Sequence, residues 1–214
     1  MLSIQTFINS PIPSNCYVLF DKVISNDCII VDPGGKNEAN LLTFIDKEVL
    51  RPQYIILTHE HFDHCWGVND LVEKYNIPVV CSELCSECIK SEKRNCSVFY
   101  EDNAQFIIDQ KTVSIESLGF EMPFARTTIK FYSTPGHTDA SVSFIVDKFL
   151  FTGDTLLKDT KTVTKLPTGS LAKLKESLQI YSQLQGHNLM VLPGHGDSFL
   201  LDGYELNKAT LGSD

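Results

Sequence analysis

Short apolar bursts alternate with stretches of helical period along most of the chain. Cys16 to Phe20 and Cys28 to Val31 predict two strands about a polar turn at Asp21-Lys22, after which Asp32-Pro33-Gly34-Gly35 turns the chain. Ala39, Leu42, Ile45 and Val49 then recur at helical spacing. Tyr54 to Leu57 predicts a buried strand, and Val68, Leu71, Val72 and Tyr75 mark one face of a helix at i, i+3, i+4 and i+7. A short strand over Ile77 to Val80 and a helix over Ser82 to Ser91 follow. Between Asn95 and Met122 the pattern supports a short helix or loop and then strands. Ile129 to Ser133 predicts a strand, and Val142 to Val146 with Phe149 to Thr152 predicts a hairpin about Asp147-Lys148. Leu171, Leu174, Leu178 and Tyr181 mark a helix, and Leu189 to Leu192 a last strand. Strands and helices are mixed in both halves, which suggests two sheets packed face to face with helices outside, an α/β (α+β) fold.

The polar residues at the ends of four of these strands change the picture. The strand at Tyr54 to Leu57 runs into Thr58-His59-Glu60-His61-Phe62-Asp63-His64, and the one at Ile129 to Ser133 into Thr134-Pro135-Gly136-His137. The second hairpin strand ends at Gly153-Asp154, and the last strand at Pro193-Gly194-His195. Of six histidines only His187 lies elsewhere. A rigid sheet that ends in a loop is a good platform for a site. Imidazole and carboxylate together suit zinc, iron or manganese. His59, His61, Asp63 and His64 lie within six residues, more ligand-type groups than one zinc takes alongside further ligands and water. Strict strand alternation does not accommodate the adjacent Asp63-His64 pair, so a loop curling about the metals is the expectation there.

Composition narrows the class. The 214 residues suit one domain, 1–214, with ample core. A net charge of −9 argues against a general nucleic-acid or anionic-membrane binder. The N-terminus shows no basic stretch leading into an apolar core, so a cytoplasmic protein is expected. Seven cysteines, an odd count, then read as reduced thiols. Cys81, Cys85 and Cys88 have the C-x3-C-x2-C spacing of the radical-enzyme iron–sulfur loop, with Cys96 nearby. They fall where a strand end enters a helix, and packing as small hydrophobes is the expectation, as it is for Cys65. Trp66 is expected in the core at the start of its helix.

The motifs T-H-E-H-F-D-H (58–64), T-P-G-H-T (134–138), F-T-G-D-T (151–155) and P-G-H-G (193–196), with N-C-Y-V (15–18) and D-P-G-G (32–35), resemble those of the metallo-β-lactamase-fold superfamily, in its order and over nearly the whole chain. The resemblance implies a four-layer αββα sandwich with the site at one edge. It implies that His59, His61 and His137 hold a first metal, that Asp63, His64 and His195 hold a second, and that Asp154 bridges them. Asp32, Thr58 and Thr138 resemble residues that orient ligands from behind. Asp154 turns the reading away from the secreted β-lactamases of this fold, which generally lack it. His61, where the paired-iron electron-transfer relatives carry Glu, weighs against that branch.

The resemblance is closest to the glyoxalase II-like branch, whose members cleave thioesters such as hydroxyacyl-glutathione. It implies a small-molecule substrate, two zinc ions with iron or manganese as alternatives, and a metal-activated hydroxide, with Asp63 and Asp154 as the catalytic carboxylates. This chain departs from the branch after His195, where only Ser198 to Asp214 stand in place of a helical region. It departs again after Asp154, where Lys158, Lys161 and Lys165 fall in a segment in which many relatives carry Gly-Arg. Those lysines either hold an anionic substrate or belong to a solvated loop. The alternatives are an iron persulfide dioxygenase built on His59, His137 and Asp154, a nuclease, and a non-catalytic metal-binding protein. Oligomeric state is not legible.

Overall fold

The computed structural model describes residues 2–36, 39–100 and 105–211. The first half of the chain builds one sheet and the second half the other. In the first, β1 (Ser3–Ile8), β2 (Asn15–Phe20), β3 (Asp27–Val31), β4 (Arg51–Ile56), β5 (Val79–Cys81) and β6 (Thr112–Ser114) lie side by side in chain order. In the second, β7 (Glu121–Phe124), β8 (Thr127–Ser133), β9 (Val142–Val146), β10 (Phe149–Gly153), β11 (Met190–Pro193) and β12 (Phe199–Leu200) do the same. Neighbours pair antiparallel except β3–β4, β4–β5, β5–β6 and β10–β11. Parallel neighbours need a crossover. α1 (Ala39–Lys47) lies between β3 and β4, α2 (Phe62–Cys65) and α3 (Val68–Tyr75) between β4 and β5, and α4 (Glu83–Cys88) between β5 and β6. α5 (Leu171–Leu184) makes the crossover of the second sheet, and α6 (Lys208–Leu211) follows β12.

The period-2 alternation of the strands sorts their side chains into three cores. Cys16 and Val18, Cys28 and Ile30, and Ile55 turn to one face of the first sheet and pack with Leu41, Ile45 and Leu71 of its helices. Tyr17, Leu19, Ile29, Val31 and Ile56 turn to the other face and meet Ile129, Phe131, Phe144, Phe151 and Leu192 of the second sheet. The outer face of that sheet, with Leu150 and Val191, is covered by Leu174, Leu178 and Tyr181 of α5. Helix, sheet, sheet and helix thus form the four expected layers. Continuous apolar runs such as Cys28-Ile29-Ile30-Val31 follow, because both faces of a central strand are buried.

Several elements differ from the sequence expectation for local reasons. The first helix ends at Lys47, and Val49 is exposed with φ 54°, outside it. Ser82 caps α4 by accepting from Cys85 N, which fixes its start, and the helix stops at Cys88 rather than Ser91. Ile77 precedes rather than joins β5. β1, β12 and α6 carried no periodic signal: β1 is an edge strand of mixed exposure, and the other two span two and four residues. No helix among the described residues is long and apolar enough to cross a membrane.

Phe144 sits at the centre of the sheet–sheet layer, fully buried and stacked on Phe151 with ring centroids 4.4 Å apart. Phe144→Ala should destabilise the fold by about 3–5 kcal/mol, through lost burial and an unfilled cavity. Urea unfolding should show the midpoint falling with an unchanged slope, and a loss below about 1 kcal/mol would show that the two sheets do not share this core.

Candidate metal centre

Four strand ends, one from the first sheet and three from the second, converge on one edge of the sandwich. β4 leads through Leu57 and Thr58 to His59 and His61, and the chain then enters α2, which carries Asp63 and His64. These two were expected in a loop. The helical turn instead lets adjacent residues both reach the site, since neighbours on a helix diverge by about 100° rather than pointing to opposite faces. β8 leads to His137, β10 to Asp154 and β11 to His195.

All seven residues come together. The ligand atoms of His59, His61 and His137 lie within 4.8 Å of one another, and so do those of Asp63, His64 and His195. His59, His64 and Asp154 form a third overlapping group. Asp154 stands between the first two. Its Oδ2 is 3.6 Å from His137 Nε2 and 3.5 Å from His195 Nε2, and its Oδ1 is 3.5 Å from His64 Nε2. Asp63 Oδ2 lies 3.3 Å from His195 Nε2. The sixth histidine, His187, is exposed on another part of the surface.

Hydrogen bonds from behind fix which ring nitrogen four of the five clustered histidines present, while His61 turns Nδ1 toward His137 Nε2 at 2.9 Å. Thr58 Oγ1 donates to Asp32 Oδ2 at 2.6 Å, so it accepts from His59 Nδ1 at 3.0 Å and leaves Nε2 with a free lone pair. His64 Nδ1 donates to Asp32 Oδ2 at 3.1 Å, His137 Nδ1 to Val163 O at 2.8 Å and His195 Nδ1 to Pro13 O at 3.1 Å. This is how metal-ligating histidines are usually held. Thr138, by contrast, touches no clustered side chain; its hydroxyl donates to Glu60 Oε2 at 2.9 Å.

Two contacts carried no sequence signal of their role. Asn15 Nδ2 donates to Pro193 O and Gly196 O, each at 2.9 Å, and the Tyr17 hydroxyl donates to Pro193 O at 2.6 Å. The N-C-Y-V strand of the first sheet thereby holds the loop that carries His195. The glycines of two motifs serve close approach. A Cβ on Gly194 would lie 2.1 Å from Asp154 Oδ1, and one on Gly34 would lie 1.5 Å from the Asp63 carbonyl oxygen.

Burial and mutual charge shift the titration of the clustered groups in both directions. Burial, reinforced by the charges of His64 and His61, holds His59 well below the usual imidazole range, and burial with His137 pushes His61 down to about 3. Burial opposes a charge on His64 as well, but Asp154, Asp63 and Asp32 outweigh it and raise the ring to about 10. His195 is raised in the same way, against burial, by Asp63 and Asp154. For Asp63 burial acts upward, yet His64 and His195 hold the carboxyl below the usual range.

Most telling are His59 Nε2 and Asp154 Oδ1, which are buried with no hydrogen-bond partner among the described residues, and His61 Nδ1, which faces His137 Nε2 at 2.9 Å. Buried polar atoms left unsatisfied are costly and rare. A divalent cation satisfies them, and nitrogen with carboxylate oxygen is a fitting donor set for zinc or iron.

Comparison with known proteins agrees. The family model of the metallo-β-lactamase superfamily matches residues 9–195. The chain belongs to this superfamily. A hydroxyacylglutathione hydrolase of Buchnera aphidicola is 32% identical over 181 residues, covering 81% of this chain and 62% of that protein. Among solved structures, the BLEG-1 B3 metallo-β-lactamase superposes with a TM-score of 0.82 at 27% identity, over 93% of this chain and 94% of its own. TTHA1623, solved in a di-iron-bound form, superposes with a TM-score of 0.75 at 25% identity, over 92% and 94%. This member of the superfamily carries a His/Asp cluster able to hold metal.

The remaining candidates separate clearly. Cys65, Cys81, Cys85, Cys88 and Cys96 are free and buried. Burial pushes the Cys88 thiol up to about 12 and Cys96 to about 11, against the thiolate that a metal or an electrophile needs. Trp66 is half-buried, stacked on Phe106 and edge-on to Phe62 and Tyr100, rather than in the core. Lys158 pairs with Asp197 at 3.3 Å. Lys161 and Lys165 line a cavity of about 330 Å³ with Thr162, Val163, Thr164 and Leu171, beside the carbonyl that holds His137. The same segment is steadied by the Tyr204 hydroxyl, which accepts from Asp159 N and donates to Leu157 O.

Two outcomes are expected. Ligands must be unprotonated, and His64 keeps its proton to about pH 10 in the metal-free protein, so loading at pH 7 should release about one proton or more per chain. Metal affinity should rise with pH up to that point. Calorimetry in buffers of different ionisation enthalpy measures this, and zero release would contradict the charge state given for His64. Asp154→Asn should lower metal affinity by about tenfold or more while leaving the circular dichroism spectrum unchanged; unaltered affinity would remove Asp154 from the ligand set.

Proposed function

We propose that this chain is a dinuclear metal hydrolase, with zinc as the resident ion, that cleaves a thioester or related small acyl compound. The observation that carries the reading is the convergence of seven histidine and aspartate ligand atoms at the meeting point of four strand ends, with His59 Nε2 and Asp154 Oδ1 buried and without a hydrogen-bond partner among the described residues. His59, His61 and His137 would hold one ion, Asp63, His64 and His195 the other, and Asp154 would contact both. Bound there, the ions supply a hydroxide near neutral pH and an electrophile for the acyl oxygen.

The side chains supply the rest. Asp32 and Thr58 keep His59 and His64 in the tautomer that leaves Nε2 free. Asp63, kept acidic by His64 and His195, is an ionised carboxylate at working pH; it accepts a hydrogen bond from the attacking water and orients it. A thiolate leaves without needing a proton, so the reaction asks for no separate acid. Lys161 and Lys165 would meet negative charge on the thiol portion, and Val163 and Leu171 its apolar part. The similarity to a hydroxyacylglutathione hydrolase supports a thioester, although the chain spans 62% of that relative's length.

The test is a panel on the zinc-loaded chain: acyl-glutathiones, acyl-coenzyme A esters, lactones, phosphoesters and β-lactams. Released thiol should give kcat/KM for at least one thioester about 100-fold above every other class, some 2.7 kcal/mol of transition-state preference. Full loading with no thioester turnover, or iron-loaded protein that consumes oxygen on glutathione persulfide, would overturn the proposal.

A further inference from the structure

Glu60 stands between two clustered histidines and faces away from them. His61 is extended, with φ −60° and ψ 143°, and alternation along this stretch puts His59 and His61 on one side and Glu60 on the other. There Glu60 is 1% exposed, and its Oε2 accepts from the Thr138 hydroxyl across 78 residues of sequence. Thr138 immediately follows His137. Its hydroxyl is fully used: the proton goes to Glu60, while Ala140 N and the Ser141 hydroxyl approach its oxygen at 3.2 and 3.0 Å. Ser141 Oγ in turn accepts from Thr138 N at 3.2 Å. The Cys65 thiol donates to the Glu60 carbonyl at 3.3 Å, which ties the same turn to α2.

Glu60 also lies in a group with Cys88 and Asp139, their ligand atoms within 4.8 Å of one another. Arg94 Nη2 is 3.5 Å from Asp139 Oδ1 and brings a positive charge beside this group.

We infer that Glu60 is a positioning residue whose hydrogen bond to Thr138 locks the His137 loop to the His59–His61 segment and so sets the geometry of that ligand trio. The Asp63, His64 and His195 trio has supports that do not involve Glu60: Asn15 and Tyr17 hold the His195 loop, and Asp32, which also reaches His59 through Thr58, holds His64. The inference rests on the metal-centre reading and not on the choice of substrate.

The experiment uses the full chain and measures zinc affinities by chelator competition, with metal-free melting temperature alongside. Glu60→Met keeps the volume and removes the acceptor, and Thr138→Val keeps the shape and removes the donor. Each should weaken binding of one ion by about 10- to 100-fold and leave the other within about threefold. Anomalous occupancies after partial chelation should place the weakened ion among His59, His61 and His137. Glu60→Gln and Thr138→Ser, which restore acceptor and donor, should recover wild-type affinity, and the Glu60→Met/Thr138→Val pair should be no weaker than the weaker single variant. Unchanged affinity in Glu60→Met, equal loss at both ions, or a Glu60→Gln as weak as Glu60→Met would overturn the inference. If Glu60→Met does not fold, Thr138→Val against Thr138→Ser decides by the same criteria. Wild-type protein that binds two ions and cleaves no thioester would refute the proposed reaction and leave this result standing.

Discussion

The site depends on one buried carboxylate. Asp32, at the end of β3, accepts Thr58 N and the Thr58 hydroxyl from the end of β4 and His64 Nδ1 from α2. Its own N–H donates to Ile56 O, and its carbonyl accepts from Asn9. One side chain thereby sets the direction of two imidazoles and joins the ends of two parallel strands. A buried charge is tolerable only when so fully satisfied. The two it receives from Thr58, at 2.8 and 2.6 Å, are short, and with the His64 bond at 3.1 Å they hold the platform from three directions.

The second constraint is that neither sheet can build the site alone. His59, His61, Asp63 and His64 come from the first, and His137, Asp154 and His195 from the second. The sheets are joined at this edge by main-chain bonds, Val142 N to Thr58 O at 2.8 Å and Asn15 N to Gly194 O at 2.7 Å. Phe144, Phe151 and Leu19 fill the layer between them. The apolar core thus sets the distance between the sheets, and the polar contacts set the register of the loops. The result is an edge where seven buried or half-buried ligand groups crowd together, an arrangement that a bound cation would stabilise.

The sequence made the layers and the ligand set legible because both leave local marks. Alternation and continuous apolar runs identified the central strands, and histidines at strand ends identified the cluster. What it concealed was relational. The two- and four-residue elements after His195 have no period to detect. α2 was read as a loop because adjacent Asp63 and His64 fit strand alternation badly, and a single helical turn is too short to show its own. Glu60 and Thr138 looked like spacers inside motifs, and Asn15 and Tyr17 like strand residues, since a hydrogen bond spanning 78 or 178 residues leaves no trace in spacing. Trp66 was placed in the core on size alone, whereas its neighbours Phe62, Tyr100 and Phe106 hold it half-buried near the surface.

The central claim is that these seven side chains hold a pair of metal ions. Anomalous diffraction from crystals of the chain purified without added metal, collected at the zinc and iron edges, tests it most directly. The account predicts two peaks, one among His59, His61 and His137 and one among Asp63, His64 and His195, with Asp154 reaching both and the stronger signal at the zinc edge. A single peak, or two peaks that leave Asp154 or any of the histidines uncoordinated, would contradict it.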